Sequence, residues 1–322
     1  MALCEFDLIR THFHSAATAR YDVRLGIGDD CALLRVPGDR ELAVSIDTLV
    51  SGVHFFPDTD PYALGHKALA VNLSDLAAMG AEPAWVTLAL TLPESDSEWL
   101  EGFSSGFLSL ARRHGVQLVG GDTTRGPLTI TVQAHGFVAP GRALRRDAAR
   151  VGDWIYVTGP LGDAGLALRM LLEGHAGELP EALRRRLERP TPRLAEGRAA
   201  VGLAHAAIDL SDGLLADLGH VCRESGVGAR LDLHRLPLSE PVARQVRAAA
   251  AWDLPLASGD DYELCLTVAP EHGRALEGRF RELDAPLYRI GVVEAGSGIR
   301  CQLPDGGLLG PLSGGYEHFR NG

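Results

Sequence analysis

Six aspartates stand where an ordinary surface acid does not. Asp30 follows a Gly-x-Gly turn beside Asp29 in LGIGDDCALL (25–34). Asp47 ends the apolar run ELAVSID, and Asp122 follows VQLV through two glycines. Asp209 lies inside AAIDL, with Asp212 three residues on. Asp75 sits in NLSDLAAM, inside the most apolar helical stretch of the chain, with Asn72 as its polar neighbour on the same face. A lone carboxylate in such surroundings protonates or weakens the fold. Taken one at a time, each reads as a cap or a turn former. As a set they do not, because carboxylates at the ends of buried strands gather where α/β proteins bind ligands. Several together need cations. Hard oxygen donors with no Cys or His at metal spacing select Mg²⁺ over zinc. Such an ion completes its shell with water and substrate phosphate.

The glycines of GIGDD, GGDTTRG and SDG stand beside these acids and let main-chain N–H groups approach phosphate oxygens. Lys67 is the only lysine, so a phosphate-binding G-x-x-x-x-G-K-[ST] loop is excluded. The expectation is a magnesium–nucleotide site built without that loop.

The elements that must position these residues alternate along the chain. Strands are predicted at 41–47, 84–90, 116–122 and 128–138, with helices over 61–80 and 97–114. An Arg-rich, glycine-bounded stretch, PGRALRRDAARVGD (140–153), marks a domain junction. The pattern then restarts with strands at 154–159, 206–210, 229–233, 262–268 and 288–293 and helices over 163–174, 192–204 and 211–226. Ser211 is the predicted N-cap of the last helix. The fold class is α/β, or mixed α+β, in two domains: residues 1–140, 150–305 and a tail of 306–322.

With 322 residues, 46% hydrophobic and 23% charged, the chain has a globular composition. Five unpaired-looking cysteines, no secretory leader pattern and no apolar run of membrane-span length predict a cytoplasmic protein. A net charge of −11 disfavours nucleic acid as a partner.

The motifs GIGDD (26–30), SIDTLVSGVHF (45–55), GHKALAVNLSDLAAMGAEP (65–83), GGDTTRG (120–126), GDWIYVTG (152–159), AIDLSDGL (207–214) and DDYELC (260–265) occur in this order. Together they resemble the thiamine-monophosphate kinase family, of the aminoimidazole-ribonucleotide synthetase-like superfamily. The resemblance implies transfer of the ATP γ-phosphoryl to thiamine monophosphate in a homodimer, with N-terminal domains at the interface and several Mg²⁺ ions. By motif position it makes Asp30, Ser45, Asp47, Asp75, Asp122 and Asp209 metal ligands, with Asp212 beside a further ion. It puts Gly121, Asp122, Arg146 and Ser211 on ATP, and His54, Glu263 and the tail aromatic Phe319 on the thiamine substrate. Two positions depart from the family pattern: Ile46 replaces a hydroxyl residue, and Ser258 replaces a glycine.

No nucleophile–His–acid triad and no activated lysine is evident, and this reaction requires none. The attacking phosphate oxygen is already mostly ionised near neutral pH. Two other readings compete: an ATP-dependent synthetase of the same superfamily, and a non-catalytic magnesium–nucleotide sensor.

Overall fold

The structure is a computed structural model that describes residues 10–14 and 19–310. The chain divides into two compact units, one drawn from residues up to 76 and 81–141, the other from 77–80 and from 142 onward.

The first unit is built on a four-stranded sheet. Its elements in chain order are β1 (Val23–Leu25), β2 (Leu33–Leu34), β3 (Glu41–Val50), α1 (Pro61–Ala78), β4 (Glu82–Leu92), α2 (Ser97–Arg113), β5 (Gln117–Arg125) and β6 (Thr129–Val138). The sheet order is β3-β6-β4-β5; β6 is antiparallel to both its neighbours, and β4 and β5 are parallel. A parallel pair needs a long crossover, which α2 supplies between β4 and β5. The α2 start is set by Asp96, whose carboxylate accepts from the N–H groups of Glu98 at 2.9 Å and Trp99 at 3.2 Å. Pro61 opens α1, and Asp60 accepts from the Ala63 N–H at 2.8 Å.

The second unit holds β7 (Trp154–Val157), α3 (Asp163–Leu172), α4 (Glu181–Glu188), α5 (Leu194–Ala200), β8 (Ala204–Asp209), α6 (Leu214–Ser225), β9 (Gly228–Asp232), α7 (Glu240–Ala249), α8 (Asp253–Ala257), β10 (Leu264–Val268), α9 (Pro270–Glu282), β11 (Tyr288–Glu294) and β12 (Gly298–Gln302). Six strands lie in the order β12-β9-β11-β7-β10-β8. Ile155, Val157, Ile208, Leu231 and Ile290 of the sheet form its core with Leu218 and Val221 of α6. Burying each such side chain contributes roughly 1.5–3 kcal/mol.

Two predicted helices come out shorter. The helix expected over 192–204 spans only Leu194–Ala200, because Val201 turns the chain and β8 begins at Ala204. The helix expected from Ser211 begins at Leu214.

Candidate active site

In the first unit the pleat of β3 sorts its residues. Ser45, Asp47 and Leu49 alternate with the exposed Val44, Ile46 and Thr48. The inward row meets α1. Ser45 Oγ donates to Asp75 Oδ2, and the Asp47 main-chain N–H donates to Asn72 Oδ1 at 3.1 Å. Asn72 and Asp75 are one helical turn apart, so a single face of α1 grips the strand. Asp47 is pushed up to about 6, first by burial and then by the Asp75 charge. Ser45, Asp47 and Asp75 thus form one cluster of hard oxygen donors. Ile46 is 59% exposed and points away from it, so the departure there removes no side chain from this cluster.

The other first-unit acids lie elsewhere. Asp122 is on β5, the edge strand opposite β3. It pairs with Ala89 in a cross-strand row that continues through Thr131 to Thr48. Three strand spacings, about 14 Å along the sheet, separate the two edges. Gly121 has φ +156°, and a Cβ on it would lie 1.9 Å from the Leu88 carbonyl oxygen. Only glycine lets β5 pass β4 that closely before presenting Asp122. Asp30 is exposed in the loop before β2. Asp29 Oδ1 accepts from the Asp30 N–H at 2.8 Å, so Asp29 stabilises the turn that holds its neighbour. We therefore expect Asp30→Asn to impair magnesium-dependent turnover at least ~10-fold more than Asp29→Asn, measured as kcat against Mg²⁺ concentration. Equal losses would show that both acids serve the turn. In the hairpin after β3, His54 Nδ1 accepts from the Val50 N–H at 3.0 Å. The neutral ring then carries its proton on Nε2.

In the second unit Asp209 is buried at the end of β8 and Asp212 is half-buried. A third acid, Asp217 of α6, escaped the sequence reading. Its carboxylate accepts from the N–H groups of Asp212 at 3.1 Å and Gly213 at 3.0 Å. Burial, then Asp209 and then Asp212, pushes it up to about 8. Asp217 thus fastens the turn ahead of α6, whose start has no side-chain cap; Ser211, the expected cap, has a carbonyl that accepts from the Asp260 N–H at 2.8 Å. The segments 210–211 and 260–263 run side by side: Tyr262 N–H donates to the Leu210 carbonyl and Leu210 N–H to the Glu263 carbonyl, both at 2.8 Å. Asp260 at φ 59° and Tyr262 at φ 48° are left-handed in this stretch, a strain that such pairing must hold in place. Ser258 keeps an ordinary φ of −85°, and its Oγ donates to the Leu254 carbonyl at 2.5 Å. The left-handed turn falls on Gly259, at φ +73°, so the departure at Ser258 costs the backbone nothing.

Arg146 is exposed, and its carbonyl accepts from Ser225 Oγ at 2.9 Å. Burial, then the Arg223 and Arg146 charges, hold His220 below its ordinary range, while Asp212 pulls the other way. Arg146 and Asp212 therefore share one neighbourhood. The resemblance puts Glu263 on the substrate side, within a predicted strand that begins one residue later, at Leu264. Its carboxylate is wholly buried, accepting from Thr158 Oγ1 at 2.6 Å, Arg186 at 2.7 Å and Arg193 Nε at 2.7 Å. Phe319 lies outside the described residues.

The donor chemistry of Ser45, Asp47 and Asp75 fits magnesium: all oxygen, with two carboxylates that repel. Among the described residues no three His, Cys, Asp or Glu side chains converge as a ready-made metal cluster. These acids can hold cations, and with them phosphate, rather than act as general bases.

Known proteins bear directly on this arrangement. Residues 28–138 match the family of the AIR synthase related protein, N-terminal domain, and residues 150–304 match its C-terminal domain. The chain is 50% identical over 323 residues to thiamine-monophosphate kinase of Escherichia coli strain K12, covering 99% of each. Its fold matches the crystal structure of thiamine-monophosphate kinase from Stenotrophomonas maltophilia K279a with a TM-score of 0.87 at 48% identity, covering 95% of this chain and 98% of that one. A structure of AaThiL complexed with AMPPCP and TMP matches with a TM-score of 0.77 at 32% identity, covering 88% and 89%. With both domain families in order and half of its residues shared with a full-length relative, the chain belongs to the thiamine-monophosphate kinase family.

Proposed function

We infer that this chain transfers the γ-phosphoryl group of ATP to thiamine monophosphate, giving thiamine diphosphate and ADP. The observation that carries the reading is the Ser45–Asp47–Asp75 cluster, a half-buried pair of carboxylates whose repulsion a bound cation would relieve. It is supported by the 32% identical AaThiL, solved with AMPPCP and TMP.

In this reading residues 1–140 bind ATP and magnesium and form the dimer, residues 150–305 form the α/β domain, and the tail 306–322 brings Phe319 to the substrate rings. Asp30, Ser45, Asp47, Asp75, Asp122, Asp209 and Asp212 hold magnesium. Magnesium bound there would supply charge neutralisation between the ATP triphosphate and the acceptor monophosphate, which otherwise repel. Gly121, Asp122, Arg146 and Ser211 bind ATP, and the planar guanidinium fork of Arg146 suits a triphosphate. His54 lies on the substrate side. Glu263 serves that side by fixing Arg186 and Arg193. Asp217 holds the Asp212 backbone in place. No residue abstracts a proton, because the acceptor phosphate is mostly ionised near neutral pH, with its second pKa about 6. Transfer is direct and in line, without a phospho-enzyme.

The homodimer reading is supported by β3, an edge strand among the described residues, whose outer row carries Leu42, Val44 and Ile46 at 42%, 50% and 59% exposure. Such a stripe on an unpaired edge is a pairing surface. A cytoplasmic place is supported by free thiols at Cys31, Cys222, Cys265 and Cys301. Among the described residues no helix is long and apolar enough to cross a membrane.

The deciding experiment is a coupled ADP-release assay with thiamine, thiamine monophosphate and aminoimidazole precursors, with and without chelation of divalent cations. Turnover is expected with thiamine monophosphate alone and is abolished by chelation. Equal turnover with an aminoimidazole precursor would favour the synthetase reading. Tight ATP binding without ADP release on any substrate would favour the sensor.

A further inference from the structure

The second unit carries a further side-chain cluster at the opposite end of β8 from Asp209. His205 is the bulged residue of β8: Thr267 pairs with Ala206 and Val268 with Ala204, so the β10 register skips it. A bulge re-aims its side chain, and β8 is a sheet edge among the described residues. His205 Nδ1 lies 3.0 Å from both carboxylate oxygens of Asp153, which is 2% exposed and held by the Arg150 N–H at 2.9 Å. His272, in the first turn of α9, has Nδ1 3.3 Å from the Leu203 carbonyl. Carboxylates and carbonyls only accept, so each Nδ1 carries the proton and each neutral ring keeps its lone pair on Nε2. The two rings stand 6.5 Å apart at 65°. Among the described residues neither Nε2 has a protein donor.

We propose that His205 and His272, oriented by Asp153 and the Leu203 carbonyl, bind one borderline divalent transition-metal ion through their Nε2 atoms, with water completing the shell. A histidine locked by a carboxylate on its far nitrogen is the usual surrounding of a metal-binding imidazole. Imidazole ligands select Zn²⁺, Ni²⁺ or Cu²⁺, whereas the all-oxygen set around Asp47 selects Mg²⁺. The two sites therefore choose different ions, and this one stands whether or not the kinase reading does. The N-terminus of α9 opposes a cation, and Glu271 in the same turn offsets it.

The test is calorimetric titration of the full chain with Ni²⁺ in excess Mg²⁺. Wild type is expected to show one saturable site that His205→Ala or His272→Ala weakens at least ~10-fold and Asp153→Asn weakens roughly 10-fold. The exposed His234→Ala should titrate like wild type. The proposal is overturned by a wild type without saturable binding, or by both histidine variants binding as wild type does.

Discussion

Asp47→Asn is expected to lower turnover roughly 10²–10³-fold while leaving the protein without magnesium at least as stable as wild type. The two effects have one cause. Burial and the Asp75 charge raise the folded-state pKa of Asp47 from 3.8 to about 6. An acid with a raised folded-state pKa favours the fold when protonated. Its cost is absent below about pH 4, grows as pH rises to about 6, and is fully present above that. Asparagine removes the charge and keeps the shape, and the main-chain bond from Asp47 to Asn72 does not involve the side chain. Above pH 6 the variant should melt higher than wild type, and below pH 4 the two curves should meet. Added Mg²⁺ should stabilise wild type more, since a ligand that binds only the folded state stabilises it by mass action. The measurements are thermal melts from pH 4 to 8 with and without Mg²⁺, and kcat with KM for ATP. Turnover within threefold of wild type would remove Asp47 from the cation site.

How far the sequence reveals this site depends on how local each feature is. Ser45 and Asp47 are legible because a strand alternates, and the same alternation turns Ile46 outward. Asn72 and Asp75 are legible as one helical face, and the structure sets that face against β3. Asp29 and Asp30 separate because the bond from the Asp30 N–H to the Asp29 carboxylate joins neighbours in the chain. Asp217 is hidden by contrast. In LLAD it reads as an exposed helix residue, and its role appears only because α6 starts at Leu214 and the N–H groups of Asp212 and Gly213 just ahead of it turn to its carboxylate. The helices Glu240–Ala249 and Pro270–Glu282 were missed because few of their residues are buried, so the apolar stripe is thin. The partners of Glu263 lie 70 and 77 residues away, one of them in the run Arg184–Arg185–Arg186, where no local pattern marks the arginine that turns inward.

Glu263→Gln should cost about 3–5 kcal/mol of stability, the largest loss expected for any single polar change considered. The carboxylate is fully buried between two guanidinium groups and the Thr158 hydroxyl. Arg186 and Arg193 keep only 22% and 15% of their side chains exposed, so neither can turn to water when the carboxylate is lost. Glutamine keeps one accepting oxygen and places an NH₂ against the guanidinium groups, which can only donate. Thr158 Oγ1 also accepts from the Leu264 N–H at 2.8 Å, so the damage passes into β10. Through the main-chain bonds of Leu210, Tyr262 and Glu263 it then reaches the loop carrying Asp212. Activity of the folded fraction should fall in kcat, whereas direct contact with thiamine would raise KM for thiamine monophosphate. Glu263→Asp keeps the charge and should recover part of the stability. Chemical denaturation with steady-state kinetics on both variants separates the two roles. A stability change under about 1 kcal/mol with a raised KM would place Glu263 on the substrate itself.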